Sequence, residues 1–215
     1  MLLKAERDLI VAYGKKLNEA RLVTGTSGNL SIFNKAEKLM VISPSGLDYQ
    51  LMKPEDVVVM DLQQKVVDGT RKPSSEYRLH GIFYEKRKDV AAVVHTHSPF
   101  ATTIACLNRD LPAVHYTIAY AGSKVACAPY ATFGTDQLAE NAYLAMENRN
   151  ATLLANHGLV AVGPDLAAAF RTALEIEYVA ELYYRSSSIG KPVIVDDSEM
   201  ENVIARFKNY GQNSK

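Results

Sequence analysis

The stretch DVAAVVHTH, from Asp89 to His97, predicts a β-strand that ends in two histidines. Its first six residues are short, apolar and rich in β-branched side chains, which is typical of a buried strand. Side chains alternate between the two faces of a strand, so His95 and His97 project to the same side, roughly 7 Å apart along the chain, while Thr96 points away. The two imidazoles are therefore close enough to bind one metal ion.

Two further segments can bring ligands to the same place. The run ATLLAN, from Ala151 to Asn156, leads to His157 and predicts a second strand that pairs beside the first. Glu76, in the segment PSSEY, would complete the set from another element. Three neutral imidazoles and one carboxylate suit a borderline divalent ion, zinc first, because they offer nitrogen and oxygen ligands without thiolate. An exchangeable position on that ion would make the site catalytic.

Histidine alone is weak evidence for a metal site, because an isolated histidine is usually an ordinary surface or core residue. The HTH motif by itself therefore allows either interpretation, and its combination with the other two candidate ligands favours the metal. His80 and His115 stay outside the predicted ligand set. His80 falls with Tyr77 and Tyr84 on a predicted helix and is interpreted as structural.

Three short loops of small polar residues, called here the three polar loops, could bind an anion. Glycine allows close backbone approach, and amides and hydroxyls donate hydrogen bonds to phosphate oxygens, especially where a loop precedes a helix. The loops contain Thr26, Ser27, Gly28 and Asn29; Ser43, Ser45 and Gly46; and Ser74 and Ser75. Such loops are also ordinary turns, and none matches the glycine-rich motifs that bind ATP or dinucleotides. A small sugar phosphate beside the metal remains compatible with them.

Length and composition predict one cytoplasmic domain. The chain of 215 residues is long enough for one full core, and we assign residues 1–215 to a single domain. Its 24 basic residues balance 24 acidic ones, so no overall field attracts nucleic acid or an anionic membrane. Cys106 and Cys127 are too few for a disulfide framework and lack the spacing of a thiolate metal site. No signal peptide or membrane-spanning stretch is recognisable.

Periodicity along the chain predicts an α/β fold with a partly antiparallel sheet. An amphipathic helix is predicted over 2–22, followed by an antiparallel meander with strands over 30–33, 39–43 and 57–62. Further helices are predicted over 74–86, 100–107, 136–147, 166–188 and 199–208, with strands around Val90, Ala126 and Leu153 and at GLVAVG. The polar tail, 206–215, is expected to be mobile, with Tyr210 as its one conspicuous residue.

Seven motifs carry a resemblance to a known family. In order over residues 25–163 they are GTSGNLS, SPSG, KPSSEYRLH, VVHTH, AVHYTIAYAGS, CAPYATFGT and NHGLVAVG. With them the sequence resembles the class II, zinc-dependent aldolase/epimerase family, and within it the members that cleave L-fuculose 1-phosphate. The resemblance implies a three-layer α/β/α fold with a mostly antiparallel central sheet. It also implies a homotetramer with active sites at the subunit interfaces.

The resemblance implies roles for individual residues as well. The ligands of one zinc ion per subunit correspond to Glu76, His95, His97 and His157, and Glu76 also corresponds to the acid/base of the reaction. The phosphate-binding residues correspond to Thr26, Asn29, Ser45, Gly46, Ser74 and Ser75, with Ser27 and Gly28 between the first two. Tyr116 corresponds to a tyrosine that the neighbouring subunit supplies to protonate the aldehyde oxygen. Tyr210 is a candidate for closing the pocket.

The implied function is retro-aldol cleavage of a ketose 1-phosphate in carbohydrate metabolism. The expected substrate is L-fuculose 1-phosphate, an intermediate of fucose degradation, and the products are dihydroxyacetone phosphate and L-lactaldehyde. Zinc would stabilise the negative charge that the cleavage leaves on the substrate, in place of a lysine Schiff base.

Three alternatives remain open. L-Ribulose-5-phosphate 4-epimerase shares the zinc ligands, but the family's epimerases carry an aspartate after the HTH strand, and Leu111 to Thr135 contains no Asp or Glu here. A dehydratase acting on methylthioribulose phosphate is a weaker alternative. A catalytically inactive scaffold on the same fold, as in adducin, belongs to a different class, and the presence of all four candidate ligands counts against it.

Overall fold

The computed structural model describes residues 1–207 and shows one eight-stranded sheet with helices on both faces. The strands are Asn29–Asn34 (β1), Leu39–Ile42 (β2), Val58–Asp61 (β3), Val66–Asp68 (β4), Ala92–Thr96 (β5), Cys127–Ala128 (β6), Ala151–Leu154 (β7) and Gly158–Gly163 (β8). Their order in the sheet is β4-β3-β2-β1-β5-β8-β7-β6, and every neighbouring pair is antiparallel except β6 with β7. The sheet is therefore mostly antiparallel, as predicted.

Helices form the outer layers of a three-layer α/β/α fold. They are Lys4–Glu19 (α1), Tyr77–Lys86 (α2), Pro99–Ala105 (α3), Asp136–Ala145 (α4), Leu166–Ile189 (α5) and Asp197–Phe207 (α6). One face of the sheet is covered by α1, α3, α5 and α6, through buried residues such as Ile10, Ile104 and Ile176. The other face is covered by α2 and α4, through Phe83 and Leu138. The layers confirm the predicted fold class.

Burial on both faces explains why the central strands are apolar along their whole length. In β5, Ala92 and Val94 belong to the core beneath α1, α3 and α5, whereas Val93 belongs to the core beneath α2 and α4. Because side chains alternate along a strand, His95 lies on the α2 side together with Val93. Polar groups that are to meet a ligand must therefore lie at the ends of these strands.

Two predicted details of the layout are wrong. The strand that begins at Ala151 does not lie beside the HTH strand, because β8 lies between β5 and β7 and pairs with both. The helix predicted from Ser74 begins at Tyr77, so Ser74 and Ser75 stay in the preceding loop, where serine favours turns. The other predicted helices and the strands of the meander are present, with ends that differ by a few residues.

The end of the described chain overlaps the predicted mobile tail. Arg206 and Phe207 belong to the last turn of α6, and the rest of that tail, including Tyr210, lies outside the described residues. Within residues 1–207, none of the helices combines the length and the apolar composition needed to cross a membrane.

The turn between β7 and β8 brings His157 to the end of β5, and it depends on Gly158. A Cβ atom at Gly158 would collide with the backbone oxygen of Thr96 and would lie 3.0 Å from Cδ2 of His97. The same turn contains Asn156 at a φ of 54°, a left-handed conformation that asparagine tolerates better than most residues. Glycine is therefore required here by close approach of two backbone segments.

Substitution of Gly158 by alanine is expected to destabilise the fold. Gly158→Ala should lower the free energy of unfolding by about 1–3 kcal/mol, because the added methyl group has no space. Gly81→Ala is the control, since Gly81 lies inside α2 and a Cβ atom there meets nothing within 4 Å. This control should raise the free energy of unfolding by about 0.5–1 kcal/mol through helix propensity. Urea unfolding measures both, and a stabilising Gly158→Ala would contradict the packing argument.

Candidate active site

Glu76, His95, His97 and His157 come together at one end of the central strands. Glu76 immediately precedes α2, His95 lies in β5, His97 follows that strand, and His157 lies in the turn between β7 and β8. One potential ligand atom from each side chain lies within 4.8 Å of those from the other three. The structure thus joins the four side chains that the sequence predicts as ligands. This group, called here the ligand cluster, can hold a metal ion.

The contacts within the ligand cluster fit a divalent cation. Nδ1 of His95 lies 2.9 Å from the backbone oxygen of Leu159, which can only accept, so Nδ1 carries a proton and Nε2 faces the cluster. Nε2 of His97 lies 2.9 Å from that Nε2, and Oε2 of Glu76 lies 3.2 Å from it. Oε1 of Glu76, 3.4 Å from Nε2 of His157, is buried without a hydrogen-bond partner in residues 1–207. Ligand atoms whose lone pairs converge in this way repel one another unless a positive charge lies between them. A divalent metal ion can supply that charge.

The pKa shifts of Glu76, His97 and His157 favour the protonation states that bind a metal. Burial, reinforced by the neighbouring His95, lowers the pKa of both His97 and His157 to about 4. Burial raises the pKa of Glu76, but the charge of His95 outweighs it and leaves this pKa below its usual value. Burial lowers the pKa of His95, but the Glu76 carboxylate more than compensates and raises it. At neutral pH the cluster therefore offers an ionised carboxylate and neutral His97 and His157 rings, as metal binding requires.

The three polar loops line the same cavity as most of the ligand cluster. The residues lining it include Thr26, Ser27, Gly28, Asn29, Ser45, Gly46, Ser74 and Ser75, together with Glu76, His97 and His157. His95 is fully buried behind them. Ser43 is the one loop residue without a place in this cavity: it is buried, and its Oγ accepts from the backbone N–H of Leu30 at 3.3 Å. The structure thus places groups that can bind an anion next to a cluster that can bind a cation.

Backbone geometry holds the first and third loops against the cluster. Gly28 has a φ of 72°, and a Cβ atom there would lie 2.8 Å from the backbone oxygen of His95 and 2.6 Å from Cγ1 of Val23. Only glycine lets this loop lie so close to β5. In the third loop, Oγ of Ser74 accepts from the backbone N–H of Glu76 at 3.3 Å. The N-terminus of α2, which favours an anion, thereby begins at the cavity.

Sequence reasoning missed several residues that line the cavity, among them Tyr130, Phe133 and Asn156. Tyr130 and Phe133 contribute aromatic rings that are 62% and 64% exposed, and Asn156 precedes His157 in the β7–β8 turn. The motif CAPYATFGT contained the signal, because two large aromatic side chains in a loop of small residues are unusual without an apolar partner. These rings give the otherwise polar cavity an apolar wall.

Tyr116 does not line this cavity in the single chain. It lies in a short 3-10 helix, Tyr116–Tyr120, and its side chain is 52% exposed. Its ring centroid lies 4.6 Å from that of His115 and 6.1 Å from that of Phe207. The role of Tyr116 stays a prediction, and so do the roles of the ligand cluster and the three polar loops. The predicted role of Tyr210 falls on a residue that the structure does not describe.

Known proteins resemble this chain over nearly its whole length. The family model for the class II aldolase and adducin N-terminal domain matches residues 8–184. A 5-deoxy-D-ribulose 1-phosphate aldolase of Bacillus thuringiensis serovar kurstaki is 55% identical over 212 residues, which cover 99% of this chain and 100% of the relative. An L-fuculose phosphate aldolase of Escherichia coli K12 is 43% identical over 189 residues, which cover 87% of this chain and 86% of the relative.

A solved structure supports the same assignment. An L-fuculose 1-phosphate aldolase superposes with a TM-score of 0.93 at 48% identity, covering 95% of this chain and 96% of the other. The match confirms both the fold class and the family resemblance carried by the sequence motifs. Relatives that are named as enzymes also decide against an inactive scaffold. The chain therefore belongs to the class II aldolase family and is an aldolase, which is a carbon–carbon lyase.

Proposed function

We propose that the protein cleaves a ketose 1-phosphate to dihydroxyacetone phosphate and a short aldehyde, with one zinc ion per subunit. The observation that carries this proposal is a single cavity lined by most of the ligand cluster and by the three polar loops. A ketose 1-phosphate matches such a cavity because its ketone and its phosphate lie on adjacent carbons. We further propose that the chain acts as a single domain in the cytoplasm, within a homotetramer whose active sites lie at subunit interfaces.

The ligand cluster has two tasks in the proposed reaction. Glu76, His95, His97 and His157 would hold the zinc ion, which supplies a Lewis acid for the negative charge that develops on the substrate oxygens. Glu76 would also move the proton at C3 of dihydroxyacetone phosphate. It is the one carboxylate that lines the cavity within residues 1–207, and at neutral pH it is ionised, which is the form that can accept a proton.

The three polar loops would bind the phosphate by hydrogen bonds. Hydroxyl groups come from Thr26, Ser45 and Ser75, and backbone amides come from the start of α2. No lysine or arginine of the described chain lines the cavity. The phosphate charge would therefore be compensated by oriented dipoles and by the nearby metal, rather than by an ion pair with a side chain.

Two substrates are the leading candidates. L-Fuculose 1-phosphate is predicted from the sequence and is named in the relative of 43% identity and in the superposed structure. 5-Deoxy-D-ribulose 1-phosphate is named in the relative of 55% identity, which covers nearly the whole chain, and we propose it as the preferred substrate for that reason. Both sugars end in a methyl group, for which Tyr130 and Phe133 offer an apolar wall.

Release of dihydroxyacetone phosphate from a panel of ketose phosphates tests the proposal. We expect the zinc-loaded protein to cleave 5-deoxy-D-ribulose 1-phosphate with a higher kcat/KM than L-fuculose 1-phosphate. The unphosphorylated sugars should be far poorer substrates, because each hydrogen bond to a charged group contributes about 1.5–3 kcal/mol. Equal cleavage with and without the phosphate would contradict the role of the three polar loops. Epimerisation of L-ribulose 5-phosphate without release of dihydroxyacetone phosphate would favour the epimerase instead.

Metal analysis tests the ligand cluster separately from the substrate. The protein should bind about one zinc ion per chain, and chelation should abolish cleavage until zinc is restored. His97→Ala should weaken zinc binding at least about tenfold, because even a group that only supports a metal ligand changes affinity by that factor. His115→Ala is the control, because His115 lies outside the ligand cluster and should leave the zinc content unchanged. Full cleavage after prolonged chelation would refute the metal assignment.

We also propose that Tyr116 acts across a subunit boundary. It lies outside the cavity of its own chain, and its side chain is half exposed, so a neighbouring subunit could contact it. Its phenolate oxygen would accept the proton from the C4 hydroxyl group during cleavage, and the hydroxyl formed in this way would return the proton to the aldehyde oxygen during synthesis.

Tyr116→Phe should lower kcat by about 10²–10⁴-fold, the range for a positioned acid/base group, without changing zinc content. Proton exchange at C3 of dihydroxyacetone phosphate should persist, because that step is assigned to Glu76. Tyr120→Phe, in the same 3-10 helix, is the matched control and should remain active. Hybrid oligomers of Tyr116→Phe and Glu76→Gln chains should regain activity, since some interfaces would combine both intact residues. Hybrids without activity would exclude the role across the boundary.

A further inference from the structure

Five buried polar side chains meet between β1 and α2. Asn29 and Ser31 are two residues apart on β1, whereas Glu76, His80 and Tyr84 follow each other at intervals of four from the start of α2. These spacings place each set on one face of its element. All five side chains belong to residues that are at most 7% exposed, and Ser31 and His80 are completely buried. The strand and the helix therefore present two matching rows of polar groups to each other.

A continuous series of hydrogen bonds joins the five side chains. Nδ2 of Asn29 donates to Oε2 of Glu76 at 2.9 Å. Oδ1 of Asn29 lies 2.5 Å from Nε2 of His80, and Nδ1 of His80 lies 2.7 Å from Oγ of Ser31. That Oγ lies 2.5 Å from the hydroxyl of Tyr84. Of the five, Glu76 and Asn29 line the cavity, so the other three support it from behind.

The chemistry of these groups sets the direction of every bond in the series. The ionised carboxylate of Glu76 can only accept, so the Asn29 amide turns its NH2 group to Glu76 and its oxygen to His80. That oxygen also only accepts, so the His80 proton lies on Nε2. Burial lowers the pKa of His80 to about 3, so the ring is neutral, and Nδ1 accepts from the Ser31 hydroxyl. The Ser31 oxygen in turn accepts from Tyr84.

We propose that His80 is a positioning residue, which fixes the Asn29 amide through its Nε2–H and thereby holds the Glu76 carboxylate in the ligand cluster. If the amide turned over, its oxygen would face Oε2 of Glu76, and two acceptors would repel each other. The amide NH2 would then also meet the proton on Nε2 of His80. This inference deepens the proposed function and rests on it, because Glu76 is assigned there as metal ligand and acid/base.

A purely structural role for His80, which the sequence analysis favours, makes a different prediction. A residue that only fills space needs no donor at a given atom, whereas a positioning residue needs an N–H at the place of Nε2. Two substitutions of similar size separate these requirements. Glutamine can place its amide N–H near the position of Nε2, whereas asparagine is shorter and places its amide near the position of Nδ1.

The experiment compares His80→Gln with His80→Asn in the full-length protein. Zinc affinity, measured by competition with a chelator, should fall about 10–100-fold in His80→Asn, the usual effect of losing a group that orients a metal ligand. His80→Gln should stay within about threefold of the original protein, by the same reasoning. For cleavage, kcat should follow the same order, with a smaller change in KM. Thermal unfolding of both variants controls for a general loss of stability. Equal zinc affinities in two folded variants would overturn the proposal.

Two further measurements keep the proposal testable if the His80 variants do not fold. Ser31→Ala removes the hydroxyl that donates to Nδ1 of His80 and helps to hold the ring. It should weaken zinc binding more than Tyr84→Phe, which leaves the Ser31–His80 bond in place, and equal effects would count against the proposal. Nitrogen-15 NMR of the histidine-labelled original protein should show a proton on Nε2 of His80, and a proton on Nδ1 would refute it. This last result is independent of cleavage, so a failed substrate panel would refute the proposed function alone.

Discussion

The pairing of β5 between β1 and β8 is the constraint on which the site depends. It places Asn29 opposite His95 on one side and Val160 opposite His95 on the other. The neighbouring backbone oxygen of Leu159 then orients the His95 ring. Because both faces of the sheet are covered by helices, polar groups that are to meet a ligand have only the strand ends to occupy. Gly158 lets the next turn approach that end closely. A slip of one residue in this register would turn His95 to the opposite face of the sheet.

The sequence identified the members of the ligand cluster because each follows a recognisable boundary. His95, His97 and His157 come after apolar runs, and Glu76 follows a pair of serines before a helix. The order of the strands was not predictable in the same way. An apolar run indicates that helices cover both faces of a strand, but it does not indicate which strands lie beside it in the sheet. The position of β8 between β5 and β7 therefore had to come from the structure.

The features that sequence reasoning missed depend on contacts between distant segments. The sequence predicted His80 to be an ordinary structural residue of a helix, because its partners Asn29 and Ser31 lie 51 and 49 positions away along the chain. The spacing of the two rows was nevertheless present in the sequence, with a period of two on the strand and four on the helix. Tyr130 and Phe133 were missed for a related reason, since an exposed aromatic loop acquires a meaning only when the cavity beside it is known. Their identity as cavity residues was therefore a matter of tertiary structure.

Under the proposed function, the choice of substrate would depend on a different part of the cavity from the cleavage of the bond. In the proposed reaction, any ketose 1-phosphate would present the same ketone and phosphate to the ligand cluster and the three polar loops, so these groups would not distinguish one sugar from another. The two candidate sugars differ in the aldehyde half, where L-fuculose 1-phosphate carries one additional CHOH group. An apolar pocket rejects an added hydroxyl or carbon by only about 10²-fold, because it leaves no buried polar group of its own unpaired. Tyr130 and Phe133, which are 62% and 64% exposed, form an open wall rather than a closed pocket. Under the proposed function, this wall would favour an apolar chain end over a polar one but would not exclude the longer sugar, so the protein would accept more than one deoxy-ketose phosphate.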